Sequence, residues 1–160
     1  MPRTRQQQPP AAIADFLDGR NLAVAGVSRD PHQPANAILR RLRDTGHRVV
    51  PVNPCVDALE GCRCYPDLLS IPGELDGVVI ATHPDVAAEI VLQCAARGVR
   101  RVWLHRSFGD GSVSPTAVEA CRSHGIDCIE GGCPLMFCGH VDPMHRCMRW
   151  WLQRRGRVPN

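Results

Sequence analysis

Apolar residues in this chain fall into short continuous blocks separated by longer segments in which they recur every third or fourth position. The blocks are Leu22 to Ala25, Arg48 to Val52, Gly77 to Ala81, Arg101 to Leu104 and Ile126 to Ile129. Runs of this length, without alternation, are expected of strands covered on both faces. The segments between them carry a helical stripe. Pro34 to Thr45 places Ile38, Leu39 and Leu42 on one face. The segment opened by His83-Pro84 does the same with Ala87, Ile90, Val91, Cys94 and Ala95, and Ser114 caps a third helix that starts at Pro115. Ala11 to Asp18 reads as a lead-in helix through Ile13, Phe16 and Leu17. Gly19, Gly46, Gly98 and Gly125 each stop a helix just before a strand.

This repeat predicts an α/β fold: a doubly wound, five-stranded parallel sheet with helices on both faces, in the order 3-2-1-4-5. Residues 1–160 form one domain in this reading, with a polar tail from Met1 to Pro10. Cys55 to Leu69 is looser, with a short helix from Pro66 to Leu69. An extra helix closes the chain over 141–153, with Val141, Met144, His145, Met148, Trp151 and Leu152 on its inner face. Met144, Met148, Trp150 and Trp151 could serve a dimer face, although packing on the body accounts for them more simply.

In such a sheet ligands bind at the carboxyl ends of the strands, where the order reverses. That edge gathers Gly26-Val27-Ser28, Asn53-Pro54, Thr82-His83 and Leu104-His105. The first of these is a turn between a buried strand and a helix start. Gly26 lets backbone approach a ligand, Ser28 offers a hydroxyl, and the free amides near Pro34 favour an anion. An ordinary β-α turn would look the same, so the turn alone does not identify a site.

Composition narrows the reading. The net charge is +3 and there is no lysine, so the side-chain cations are arginines, apart from any charged histidine. The charge is too small and too scattered for a nucleic-acid surface. No apolar run approaches the ~20 residues of a membrane span. The first residues lack the apolar core of a signal peptide. Nine cysteines, an odd number with several inside apolar runs, argue for reduced thiols in the cytoplasm.

A standard NAD site wants Gly-x-Gly-x-x-Gly after the first strand and an acid after the second. Here the turn reads Gly26-Val27-Ser28-Arg29-Asp30-Pro31, and the second strand ends in Asn53-Pro54. A dinucleotide-binding oxidoreductase therefore stands only as an alternative. A Walker loop is absent.

The succession Val24-Ala25-Gly26-Val27-Ser28, Val49-Val50-Pro51-Val52-Asn53-Pro54, Tyr65-Pro66, Val102-Trp103-Leu104 and Gly132-Cys133-Pro134 resembles the small stand-alone CoA-binding proteins. Their domain is similar to the CoA-binding Rossmann domain of succinyl-CoA synthetases. The resemblance covers about Asn21 to Pro134. It implies a Rossmann-like module that binds coenzyme A or an acyl-CoA as a non-catalytic sensor or carrier. By position it implies that Gly26, Val27 and Ser28, with Arg29 beside them, meet the diphosphate. It places Asn53 and Pro54 along the adenosine, Thr82 and His83 at the third strand, and Trp103, Leu104 and His105 at the fourth. The chain departs from the family at Cys55, His83 and His105, where relatives often carry lysine, arginine and glutamine. Arg29, Arg63 and Arg106 are then the candidates for the 3′-phosphate of CoA.

Two further clusters carry chemistry. Cys133, Cys138, His140, His145 and Cys147 could hold zinc, which makes a zinc-containing interaction protein a second alternative. Buried thiols and a helix-face histidine are the simpler explanation. Cys55, Cys62 and Cys64 lie in one loop near the crevice, where a mixed disulfide with the CoA thiol is chemically accessible only to a cysteine of lowered pKa. Cys94, Cys121 and Cys128 read as core. Acyl-transfer catalysis would need a nucleophile, a base and an oxyanion site together. No nucleophile elbow is present, so an enzyme is the less favoured reading.

Overall fold

The computed structural model describes residues 10–107 and 111–158; most of the polar tail and Gly109 lie outside them. Among the described residues the strands are β1 Asn21–Ala25, β2 Arg48–Val52, β3 Ala58–Leu59, β4 Cys62–Arg63, β5 Gly77–Ile80, β6 Arg101–Leu104 and β7 Asp127–Glu130. The helices are α1 Ala11–Asp18, α2 Pro34–Asp44, α3 Pro84–Ala96, α4 Pro115–Ser123 and α5 Pro143–Arg154, with a single 3-10 turn over Pro134–Met136.

The expected α/β architecture with a five-stranded parallel sheet is present, and its order is β2-β1-β5-β6-β7. Numbered among the five long strands, that order is 2-1-3-4-5, so the third strand lies beside the first and not outside the second. Two contacts explain the difference. The outer edge of β2 is occupied at its carboxyl end by Tyr65, which bridges Val52 in parallel. The Tyr65 amide donates to the Pro51 carbonyl and its own carbonyl accepts from the Asn53 amide. The other contact is at the start of β5, where the Asp76 carboxylate accepts from the amides of Arg20 and Asn21, both at 2.8 Å. That pins the entry to β5 against the entry to β1.

The pleat sends successive residues to opposite faces, and the core is accordingly in two halves. On one side Leu22, Val24, Val79, Trp103 and Ile129 pack with Ile13 and Phe16 of α1, Ile38, Leu39 and Leu42 of α2, Met136 and Leu152. On the other, Ala23, Ala25, Val78, Ile80, Val102 and Leu104 pack with Ala87, Val91 and Cys94 of α3 and Ala117 and Cys121 of α4. Trp103 is fully buried, edge-on to Phe16 at 5.5 Å between ring centroids, and its Nε1 donates to the Gly131 carbonyl. Both alternating faces are apolar, so the strands read as blocks in the sequence.

Three local expectations are corrected. Residues 66–69 form bends and no helix, while the looser segment instead holds the β3–β4 ribbon, an antiparallel pair. The closing helix begins at Pro143, capped by the Asp142 carboxylate accepting from the His145 amide. Its inner face is Leu152 with the half-buried His145, Met148 and Arg149, whereas Met144, Trp150 and Trp151 are exposed. Among the described residues no helix is long and apolar enough to cross a membrane.

Candidate functional site

The reversal of strand order falls between β1 and β5, and the two strand ends approach closely there. Gly26 has φ +103°, and a Cβ on it would stand 2.1 Å from the Ala81 carbonyl oxygen. Glycine is thus required at the end of β1 for contact with the protein's own backbone at the end of β5.

The turn after Gly26 is held by two asparagines. Asn36, 1% exposed in the first turn of α2, clamps Ser28 from both sides. Its Oδ1 accepts from the Ser28 amide at 2.9 Å and its Nδ2 donates to the Ser28 carbonyl at 2.7 Å. Asn53, just past β2, donates from Nδ2 to the Val27 carbonyl at 2.7 Å and accepts from the Cys55 amide at Oδ1. A buried amide bonded at both ends is both satisfied and immobile. The Ser28 amide is therefore already used. The amides of Val27 and Ala35 have no acceptor among the described residues, and the N-cap Gln33 makes no side-chain cap. The Ser28 hydroxyl oxygen accepts from the Asp30 amide at 3.0 Å, which leaves its own proton to donate. The His32 amide, bonded to the Asp30 carboxylate, holds that carboxyl below its usual range.

The β3–β4 ribbon flanks this turn. Glu60, at its tip, has φ 51°. Its Oε1 accepts from Asn36 Nδ2 at 3.0 Å and from Arg40 Nη1 at 2.7 Å. Arg43 donates to the Glu60 carbonyl. Arg29 is exposed and donates from Nη2 to the Cys55 carbonyl at 3.1 Å, and Arg63 lies 5.0 Å over the Tyr65 ring. The end of β2 is thus bordered by two arginines and an aromatic ring. Pro54 is exposed beside them.

At β5, the Thr82 carbonyl accepts from Ser112 Oγ at 2.6 Å, and Thr82 Oγ1 donates to the His83 carbonyl. His83 is exposed and caps α3, its Nδ1 accepting from the Asp85 amide at 3.4 Å. At β6 the expectation divides. The side chains of Trp103 and Leu104 are fully buried in opposite halves of the core, so neither can line a crevice. His105 is 8% exposed, and its Nε2 lies 3.2 Å from Ser107 Oγ. Burial lowers its pKa from the usual 6.5 to about 4, so the ring is neutral at physiological pH. Cys133, just past β7, is buried, and burial pushes its thiol up to about 11.

Asn36, Glu60, Tyr65, Ser107 and Ser112 are missing from the residues expected from sequence. Asn36 carried a signal: it is a polar residue on the apolar stripe of Ala35, Ile38, Leu39 and Leu42. Tyr65 entered only through the Tyr65-Pro66 motif of the resemblance, while Glu60, Ser107 and Ser112 depend on contacts remote in sequence and carried none.

The residues of the zinc alternative are not gathered into one ligand set. Cys138 Sγ lies 3.1 Å from Thr45 Oγ1, His145 Nδ1 lies 2.6 Å from the Asp142 carboxylate, and Cys147 is exposed. Among the described residues no three of His, Cys, Asp or Glu come together to hold a metal. All nine cysteines are free. Cys64 is buried and its pKa raised by that burial, which makes it a poor nucleophile.

Comparison with known proteins shows the family. A family described as a CoA binding domain matches residues 20–138. An ADP-forming acetate–CoA ligase II of Archaeoglobus fulgidus is 32% identical over 122 residues, 71% of this chain and 18% of the ligase. The alpha subunit of the corresponding Pyrococcus furiosus ligase is 30% identical over 74% of this chain and 27% of the subunit. The match thus spans about a quarter or less of these curated relatives. A solved hypothetical protein from Pyrococcus horikoshii superposes with a TM-score of 0.72 at 26% identity, covering 83% of this chain and 93% of that one.

Proposed function

The chain belongs to the CoA binding domain family, and from that premise we propose that it receives coenzyme A or an acyl-CoA across the carboxyl ends of β1, β2, β5 and β6, as a sensor or carrier and not as a turnover enzyme. In this reading the diphosphate meets the Val27 and Ala35 amides and the Ser28 hydroxyl. Adenosine lies along Asn53, Pro54 and Tyr65. The pantetheine arm runs past Thr82 and His83 to the backbone at Leu104 and to His105. The free thiols fit a reducing cytoplasm.

The observation that carries the reading is the Asn36 clamp. It fixes the turn in one conformation and leaves an uncapped helix start beside it, so the anion meets a prepared site. Arg29 is the best-placed partner for the 3′-phosphate, because its guanidinium stands at the Cys55 carbonyl, just past Asn53-Pro54. Arg106 points elsewhere: its guanidinium lies beside Gly131, beyond β7.

Calorimetric titration tests this. CoA and acetyl-CoA should bind and NAD should not, since β2 ends in an asparagine whose side chain is already engaged and offers no acid to a ribose. Arg29→Ala should weaken CoA about tenfold, the loss of one charge-assisted contact, and leave dephospho-CoA unchanged. A flat CoA trace, or NAD binding in its place, would sink the reading.

A further inference from the structure

A serine stands beside His105 at the carboxyl edge of the sheet, and nothing above requires it for binding. His105 Nε2 lies 3.2 Å from Ser107 Oγ. Both lie in the segment leaving β6, and the buried Cys133 lies in the segment leaving β7. Backbone bonds hold those segments together: the Arg106 amide donates to the Gly132 carbonyl, and the Gly131 amide donates to the Leu104 carbonyl. The segment after β6 is also tied to the crevice. The His105 amide donates to the Ile80 carbonyl, the Ser112 amide donates to the His105 carbonyl, and Ser112 Oγ donates to the Thr82 carbonyl. The pair therefore sits two strand spacings, about 10 Å, from the turn at Gly26, within reach of a pantetheine arm.

We propose that Ser107 is an acyl acceptor, taking the acyl group of a bound acyl-CoA onto its hydroxyl with His105 as the base. The proposal rests on the CoA reading and gives the carrier role a covalent form. In the step, Ser107 Oγ bonds to the thioester carbon and the carbon–sulfur bond breaks. The Oγ proton passes to His105 Nε2 and from there to the departing sulfur. The products are acyl-Ser107 and free CoA, and no other reactant is consumed.

The surroundings suit the step. His105 is neutral at physiological pH, so with its proton on Nδ1 the Nε2 lone pair is available to Ser107. Cys133 stays protonated, which makes it an unreactive competitor for the acyl group. Ser107 itself is only half-buried, so a ligand can approach it. Arg106, between the two residues in sequence, has its Nε buried with no acceptor among the described residues, and brings a positive charge to the same segment.

The test incubates the full chain with acetyl-CoA. Released CoA is followed by chromatography, the intact protein by mass spectrometry, and any adduct is mapped by peptide digestion. One acetyl group per chain on Ser107, matched by one CoA released, is the expected result. Ser107→Ala should give no adduct, and His105→Gln should slow its formation about a hundredfold. Ser107→Cys should accumulate a thioester that hydroxylamine removes, and this variant decides the matter if the alanine variant does not fold. CoA binding by calorimetry without any adduct overturns the proposal and leaves the CoA reading standing. An adduct on Cys133 or Cys55, or one that persists in Ser107→Ala, overturns it as well. Failure to bind CoA at all removes both.

Discussion

A histidine at a strand end ordinarily titrates near neutrality, but His105 is enclosed at the edge of the core and its pKa falls to about 4. Between pH 4 and 6.5 the unfolded chain binds a proton there and the folded chain does not. Stability therefore declines as the pH falls through that window, by up to about 3 kcal/mol. Urea denaturation at pH 7 and at pH 4.5 should show the decline, and His105→Gln should reduce it. A second residue-scale expectation concerns Gly26. A methyl group there would collide with the Ala81 carbonyl at a positive φ, so Gly26→Ala should cost ~3 kcal/mol or more, read from the same denaturation curves. Sequence showed that Gly26 sits in a special turn, because glycine between a buried strand and a helix start implies unusual backbone. It did not show that the crowding comes from β5, which lies more than fifty residues away.

Helices were the most legible elements, because their signals are local. Ser114 does cap α4, accepting from the Ala117 amide, and His83 caps α3 as its place before Pro84 implied. The stripe on α3 is buried as its spacing required, at Ala87, Ile90, Val91 and Cys94. The inner face of α5 was misread because methionine and tryptophan were counted as apolar without a partner to pack against. Arg154 and Arg155 stack over Trp150 and Trp151 at 4.2 and 4.1 Å, so the outer face is covered by its own guanidinium groups. Leu152 alone of the helix is fully buried. Leu152→Ala should therefore cost ~2–4 kcal/mol, and Trp150→Ala no more than about 0.5 kcal/mol, as measured by thermal or urea unfolding. The β3–β4 ribbon escaped notice because two-residue strands leave no periodicity to read.

At the scale of the molecule, a ligand seated across four strand ends should stabilise the entire sheet. CoA at a hundred times its dissociation constant should add about 2.7 kcal/mol to the unfolding free energy, visible as a raised melting temperature, while NAD should add nothing. Gly26, Ser28, Asn53, Thr82, His83 and His105 all stand at the carboxyl end of the sheet, where their places in the sequence put them. The side chains of Trp103 and Leu104 instead face packed core, which strand position cannot show. The periodicities of single segments were sufficient to establish parallel strands and the helices that cover them. Those features depend on residues a few positions apart and on which side of each element is apolar. The neighbour of each strand is a different kind of fact. It rests on Tyr65 occupying the flank of β2 and on Asp76 binding the entry to β1, contacts that exist only once distant segments have come together. The same holds for the Asn36 clamp and the His105–Ser107 pair, whose geometry is a product of packing and has no counterpart in local pattern.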